Sequence, residues 1–456
     1  MSTMIASDRY SLIVGMGATG LSIAHFLRDN GRRFCAYDTR DQASLAIEFE
    51  RCFDELACYF KVIPEDVVAG ADRLLLSPGV SRDEPVVQQA LSLGIPVVGD
   101  IELFLSVVDK PVIGITGSNG KSTVTTLVSQ AAENAGLKVG VGGNIGTPAL
   151  ALLNEPADIY VLELSSFQLE STTRPNLTVA CMLNVTPDHM DRYANIGEYV
   201  AAKQRIFYGA KNVIYALDDV LTRPPVARDI KRFGFGLNSH PEVEELQYYL
   251  DVNSGYLCCT GRQIVHVDAI KMKGKHNLFN ALALLAIAEA AGIGEQACLK
   301  ALASFTGLPH RCQWIAEHSG VTFINDSKAT NIGAAQAAIC GLGSEYSAIT
   351  LIAGGDGKGA DFLGLARTIN QLVGTLVLIG CDADKIEKHI DNKRVHVIHA
   401  DDMRVAVREA TRVSAPGGLV LLAPACASFD MFSGFEERGE QFIQAVEEVG
   451  CDATIL

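Results

Sequence analysis

Between Gly114 and Thr123 the chain reads GITGSNGKST, set between the apolar run PVIGIT and the amphipathic run STVTTLVSQAAENAG. A strand that passes through a turn of small residues straight into a helix commits the surrounding chain to an α/β unit with a parallel sheet. It also builds an anion site, because the backbone N–H groups of Gly117, Ser118, Asn119 and Gly120 can curl around phosphate oxygens at the helix N-terminus. Lys121 is then in reach of the β/γ-phosphates, and Ser122 of a Mg²⁺ ion. The strict G-x-x-x-x-G-K-[ST] pattern is not met, since its first position falls on Ile115; the chain carries T-G-x-N-G-K-S-T. The loop implies a nucleoside triphosphate and leaves the reaction open.

A chain of 456 residues exceeds one hydrophobic core and points to roughly three domains. The balance of 38 basic against 53 acidic residues gives a net charge of −15, without a block of Lys/Arg, which argues against nucleic-acid binding by bulk electrostatics. No apolar run approaches the roughly 20 residues of a membrane span, and the start MSTMIASDRYSLIVG lacks the pattern of a signal peptide. The twelve cysteines are scattered with no C-x-x-C, so neither a zinc site nor a disulfide framework is expected. These features predict a cytoplasmic protein, with a monomer as the default.

Three α/β blocks follow one another. Residues 1–99 alternate strands such as SLIVG and RFCAYD with the helical TGLSIAHFLRDNG, and hold G-x-G-x-x-G at Gly15, Gly17 and Gly20 with Asp38 at the end of the next strand. That fingerprint suits the diphosphate of a dinucleotide or of a UDP-linked compound, with Asp38-Thr39-Arg40 placed to meet a base or sugar. Residues 100–307 contain the phosphate loop, and their stretch from about 211 to 272 is expected to form a smaller sheet of its own. Residues 308–456 alternate again, through VTFIND, AITLIAGG, TLVLIG, VHVIHA and GGLVLLAPA.

Glu163, in the apolar VLELSS, lies one crossover beyond the loop, where a carboxylate can hold Mg²⁺ or its water. NVTPDHMDRY sets Asp188, His189 and Asp191 after another strand, a pattern equally suited to a polar turn. Lys203 in EYVAAKQRIF, taken alone, reads as a surface lysine on a helix whose other face is apolar. LPHRCQ, INDSKATN and GGDGKGADF are polar clusters beside strands, open to turn chemistry or to an anionic ligand.

The ordered set TGSNGKST, GGNIG, ELSSFQLE, NVTPDHMDRY, KGKHNLFN, GLPHRCQ, INDSKATN, GGDGKGADF and LAPACASFDMFSGFEERG closely resembles the Mur ligase family of bacterial peptidoglycan synthesis, and most closely its D-glutamate-adding branch. The likeness runs from DTR at 38–40 through Gly439. It implies a Rossmann-like N-terminal domain, a central P-loop-type ATPase domain with a mostly parallel sheet, and a mobile, Rossmann-like C-terminal domain. It also implies an ATP-dependent amide ligase that adds D-glutamate to UDP-N-acetylmuramoyl-L-alanine through an acyl phosphate, releasing ADP and phosphate.

Carried over residue by residue, the resemblance assigns ATP to the loop from Gly117 to Thr123 and to Asn277, Asn280, Arg311, Asp326 and Lys328. The UDP-substrate falls to Gly15, Gly17, Thr19, Thr39, Arg40, Gly79, Asn144, Ser165, Gln168 and His189, and D-glutamate to Thr330, Lys358, Ser428 and Phe435. Ser122, Glu163, His189 and Lys203 match metal-site positions for two Mg²⁺ ions, Lys203 as a carbamylated lysine, and Lys121 joins them as catalytic. At Ser433 the chain has serine where this branch often carries a basic residue, so no role is transferred there.

Overall fold

The structure is a computed structural model that describes residues 9–40, 46–53, 56–186, 192–227, 230–272, 274–343, 346–357 and 359–452. It divides into two compact units, Met1–His266 with Phe279–Ala301, and Val267–Leu278 with Leu302–Leu456.

The first unit holds two sheets. In the N-terminal one, β1 (Tyr10–Val14), β2 (Phe34–Asp38), β3 (Cys58–Phe60), β4 (Ala71–Leu76) and β5 (Val97–Gly99) run parallel in the order β3-β2-β1-β4-β5. The order reverses on either side of β1, which opens a crevice at the carboxyl ends of the strands, where the Gly15 loop lies. The central sheet comprises β6 (Val112–Thr116), β7 (Val139–Gly143), β8 (Ile159–Glu163), β9 (Val179–Met182), β10 (Asn212–Ala216), β11 (Lys231–Gly236), β12 (Leu246–Asp251), β13 (Tyr256–Cys259) and β14 (Arg262–His266).

These nine strands form one sheet in the order β14-β13-β12-β11-β10-β9-β6-β8-β7. The separate smaller sheet expected for residues 211–272 is therefore not formed. Instead β10 pairs parallel with β9 and carries the segment onto the central sheet, and only β12-β13-β14 turn antiparallel. Local patterning identifies such strands but not the partner edge, which backbone hydrogen bonding decides. The two sheets share one apolar core: Phe104 on the helix Asp100–Leu105 meets Tyr160 of β8 edge to face, ring centroids 5.2 Å apart.

In the second unit β15 (Gln313–His318), β16 (Val321–Asn325), β17 (Ile349–Gly354), β18 (Val373–Ile379), β19 (His396–His399) and β20 (Leu419–Leu422) form a sheet in the order β15-β16-β20-β17-β18-β19, antiparallel only at β15. Its inner strands bury both faces: Leu351, Leu376 and Leu421 pack to one side, Ile352, Val377 and Leu422 to the other. Runs that are almost wholly apolar, such as ITLIAG and LVLL, follow from helices covering both faces.

Candidate active site

The phosphate loop leaves β6 and enters the helix Lys121–Asn134. Gly120, at φ 82°, ends the loop in the left-handed region, and a Cβ there would sit 2.6 Å from Asn280 Oδ1. The positive φ favours glycine there, and a Cβ would also displace the Asn280 amide. No side chain caps the helix, which leaves its first N–H groups aimed into the loop for an anion. Lys121 Nζ donates to the carbonyls of Gly117 and Ser118, each at 2.9 Å, so the ammonium lies over the loop. Thr123 follows in the first turn of the helix.

Ser118 faces inward. Its hydroxyl donates to Thr186 O at 2.9 Å, accepts from Thr186 N at 3.0 Å and lies 3.2 Å from the Tyr199 hydroxyl. Asn119 is clasped by Asn184, whose Oδ1 accepts from Asn119 N at 2.8 Å and whose Nδ2 donates to Asn119 O at 3.0 Å. Asn184, Thr186 and Tyr199 thus fix the loop from behind. They escape sequence analysis because residues that shape a loop from another strand or helix carry no local motif.

Ser122 Oγ donates to Glu163 Oε2 at 2.7 Å, and Asn144 Nδ2 donates to Glu163 Oε1 at 2.8 Å. Glu163 ends β8 at 3% exposure. Gly143 makes this approach possible, since at φ 100° its missing Cβ would lie 2.4 Å from Glu163 O, which accepts from Asn144 N. Two hydrogen-bonded donors leave the carboxylate a net anion in a buried place, the condition for a cation ligand.

Lys203 corrects the sequence expectation. It is buried at 2% exposure, with Nζ donating to Gly117 O at 2.9 Å and lying 4.6 Å from the Tyr199 ring centroid. On the helix Ile196–Gln204 it shares a stripe with the buried Tyr199 and Ala202, continued by Ile206 and Phe207. It therefore stands on the apolar face, four residues beyond Tyr199. His189, with Asp188 and Asp191, lies outside the described residues.

Ser165 caps the helix Ser166–Glu170 in a reciprocal capping box: Gln168 N donates to Ser165 Oγ, and Ser165 N to Gln168 Oε1, both at 3.1 Å. Gln168 Nε2 donates to Asp100 Oδ2 at 3.4 Å, so the amide that the resemblance assigns to substrate is used inside the protein. Burial pushes the Asp100 carboxyl up to about 6, against the lowering effect of the Gln168 bond.

In the N-terminal sheet Gly15, at φ 98°, packs its backbone against Ser77, whose Oγ donates to Gly15 O at 2.8 Å. Gly17 and Thr19 open the helix Ala18–Asp29, again without a side-chain cap. Asp38 is spaced for a ribose but is engaged internally. It accepts from Met16 N at 2.8 Å and holds Arg40 bidentately, Nε to Oδ1 and Nη2 to Oδ2, each at 2.8 Å. Burial pushes this carboxyl up, yet the bonds from Arg40 and Met16 outweigh it and hold it at about 2. Arg40 and Gly79 are exposed, with Thr39 half-buried beside them.

The second unit gathers the remaining candidates. Asn277 is buried at the start of the helix Lys275–Ala291; Asn280, on the same helix, is buried in the first unit. Asp326 follows β16 and accepts from Cys312 N at 3.1 Å; burial raises its carboxyl to about 6. Lys328 Nζ lies 3.8 Å from the Phe435 ring centroid, and Thr330 N donates to Lys328 O at 2.8 Å. Ser428 is buried, and Arg311 is exposed. Lys358 lies outside the described residues. Ser433 has a local role: its N and Oγ both donate to Glu437 Oε2 at 2.7 Å, anchoring the start of the helix Phe435–Asp452.

Three family models match in order: the Mur ligase MurD-like N-terminal domain over residues 9–99, the Mur ligase middle domain over 115–288, and the Mur ligase glutamate ligase domain over 310–426. A UDP-N-acetylmuramoylalanine–D-glutamate ligase of Saccharophagus degradans is 50% identical over 457 residues, covering 99% of this chain and 100% of the relative. The chain belongs to the Mur ligase family. Ligases of the same name from Teredinibacter turnerae and Legionella pneumophila are 49% and 47% identical, over 98% and 95% of this chain and 99% and 98% of theirs. Among solved structures, a MurF ligase from Thermotoga maritima in complex with ADP aligns at TM-score 0.54 and 18% identity, covering 97% of this chain and 99% of its own. A UDP-N-acetylmuramate-alanine ligase from Thermotoga maritima aligns at 0.55 and 16%, covering 96% and 99%. Both share the three-domain Mur ligase fold.

Proposed function

We propose that this Mur ligase joins D-glutamate to UDP-N-acetylmuramoyl-L-alanine at the expense of ATP, in the cytoplasmic synthesis of peptidoglycan precursor. The observation that carries this reading is the identity of about half of all positions, end to end, with ligases bearing that name.

The chemistry is a two-step transfer. An oxygen of the L-alanyl carboxylate attacks the γ-phosphorus and ADP leaves; the D-glutamate nitrogen then attacks the acyl carbon, phosphate departs and the nitrogen loses a proton. The chain's part is to gather anions that repel one another and to keep water from the acyl phosphate. Lys121 exchanges its loop carbonyls for the β/γ-phosphates, and the uncapped helix amides bind beside it. Ser122 Oγ and the Glu163 carboxylate are hard oxygen donors 2.7 Å apart, a set that fits Mg²⁺. Ser122, Glu163, His189 and Lys203 would hold two Mg²⁺ ions, which would supply charge neutralisation between triphosphate and carboxylate.

We assign Lys203 as a carbamate. Its nitrogen keeps an N–H for Gly117 O, while the added carboxyl gives the anionic oxygen that Mg²⁺ prefers. Asn277, Asn280, Arg311, Asp326 and Lys328 serve ATP. Gly15, Gly17, Thr19, Thr39, Arg40, Gly79, Asn144, Ser165, Gln168 and His189 serve the UDP-substrate, Ser165 and Gln168 by shaping the loop after β8. Thr330, Lys358, Ser428 and Phe435 serve D-glutamate. We place the domain limits at 1–99, 100–307 and 308–456 and take the chain as a monomer with no nucleic-acid or membrane partner. Among the described residues no helix is long and apolar enough to cross a membrane.

Incubation with UDP-N-acetylmuramoyl-L-alanine, ATP, Mg²⁺ and a panel of amino acids tests the assignment by product mass and phosphate release. D-glutamate should be ligated with one phosphate per bond; preference for L-alanine, a diamino acid or a dipeptide would overturn it.

A further inference from the structure

Among the described residues Arg438 is the largest fully buried side chain, on the helix Phe435–Asp452. Its guanidinium donates to Ser327 twice, from Nε to Oγ at 3.0 Å and from Nη2 to O at 2.9 Å. Nη1 reaches the carbonyls of Cys426 at 3.1 Å and Ala427 at 3.4 Å. The Ser327 hydroxyl passes the connection on, donating to Phe435 O at 2.8 Å. Ala427 also exchanges backbone hydrogen bonds with Asp356, N to O in both directions at 3.0 and 2.8 Å. One side chain therefore ties together the segments that carry Asp326 and Lys328, Ser428, Phe435 and Asp356.

All of its hydrogen-bond acceptors are neutral. Among the described residues no carboxylate lies within ion-pair distance of Arg438. Burying a cation with no ion-pair partner in contact is costly, and an apolar residue would fill the same space more cheaply. Arginine's planar fork, by contrast, fixes several acceptors in one geometry, which neither lysine nor methionine reproduces. The neighbouring Gly439 admits no side chain, since a Cβ would lie 2.1 Å from His310 Nδ1; Asn325 Nδ2, 3.1 Å from that same nitrogen, also donates to Gly439 O at 3.1 Å. The helix is thus locked in register at the turn from which Arg438 projects.

We propose that Arg438 is a positioning residue for the amino-acid substrate: its guanidinium holds the Ser327 and Cys426–Ala427 segments so that Ser428 and Phe435 meet an acidic amino acid. This rests on the D-glutamate ligase reading, and ligation of D-glutamate by the unaltered protein tests that reading separately.

Arg438→Lys keeps the charge and loses the fork. Its KM for D-glutamate should rise by about tenfold or more, the loss of roughly one charged hydrogen bond. KM for the UDP-substrate should stay within about twofold, as should ATP–ADP exchange at saturating ATP measured with the UDP-substrate and no amino acid. An unchanged KM for D-glutamate, or an equal rise in KM for the UDP-substrate, would overturn the proposal. If Arg438→Lys fails to fold by circular dichroism, Ser327→Ala decides, since it removes one acceptor and leaves the guanidinium its three carbonyls. A selective rise of about threefold in KM for D-glutamate supports positioning, and no selective rise refutes it.

Discussion

Replacing Glu163 with glutamine separates the catalytic value of its charge from its structural value. The carboxylate accepts from Ser122 Oγ at 2.7 Å and Asn144 Nδ2 at 2.8 Å in a site only 3% exposed. Glutamine matches its shape and can satisfy both partners, accepting from Asn144 through Oε1 and donating to the Ser122 hydroxyl through Nε2. Exchanging two charge-assisted bonds for neutral ones costs about 1 kcal/mol each. Removing a buried charge returns several kcal/mol of desolvation. The ligand-free variant should therefore melt within about 4 °C of the parent, or above it. Ligation should fall about 10²–10³-fold, equivalent to ~3–4 kcal/mol of lost electrostatic stabilisation. Phosphate release at saturating substrates across a Mg²⁺ titration, with a parallel melting curve, measures both. Turnover within threefold of the parent, or a melting point more than about 10 °C lower, would refute the role of Glu163 as a cation ligand held in a preformed site.

Gly120→Ala places a Cβ at φ 82° and 2.6 Å from Asn280 Oδ1; the strain of ~1–2 kcal/mol should weaken ATP binding about tenfold by calorimetry, and an unchanged Kd would contradict the loop geometry. Lys203→Arg keeps a cation that cannot form the carbamate and should be as inactive as Lys203→Ala; near-normal turnover would show that the residue acts as a cation. Asp100 supplies a pH test, because burial holds its carboxyl at about 6, above the ordinary carboxylate value near 4. Between these values the folded protein binds more protons than the unfolded chain, so stability falls as pH rises from about 4 to 6. Asp100→Asn should raise stability by up to ~3 kcal/mol at pH 7.5 and leave it unchanged at pH 4 in denaturant titrations; equal effects at both would show that desolvation is not the cause.

The sequence by itself determined the α/β class, the alternation of strands and helices, the phosphate loop and the order of motifs that marks a Mur ligase. These features are local. A loop between an apolar strand and an amphipathic helix binds phosphate through its own backbone, and strands covered on both faces are almost wholly apolar, as in ITLIAG. Glu163 was legible for a related reason: an acid at the end of a wholly buried strand is too costly without a purpose.

Tertiary structure decided what depends on partners distant in sequence. The stretch from 211 to 272 has strands legible one at a time, but only β10 pairing with β9 shows that they extend the central sheet. Lys203 looked like a surface lysine because the neighbours that bury it, Gly117 and Tyr199 among them, come together only when its helix packs under the loop. Asp38 and Arg40, each placed to meet a ligand, spend their charges on one another. Arg438 had one signal in the sequence, its place on a helical stripe with Phe442, Ala445 and Val446, where a cation is out of pattern. That stripe could show that Arg438 is buried, but its acceptors belong to loops about 12 and 111 residues away along the chain. Spacing along a helix fixes which face a residue occupies, and only the folded chain fixes what that face meets.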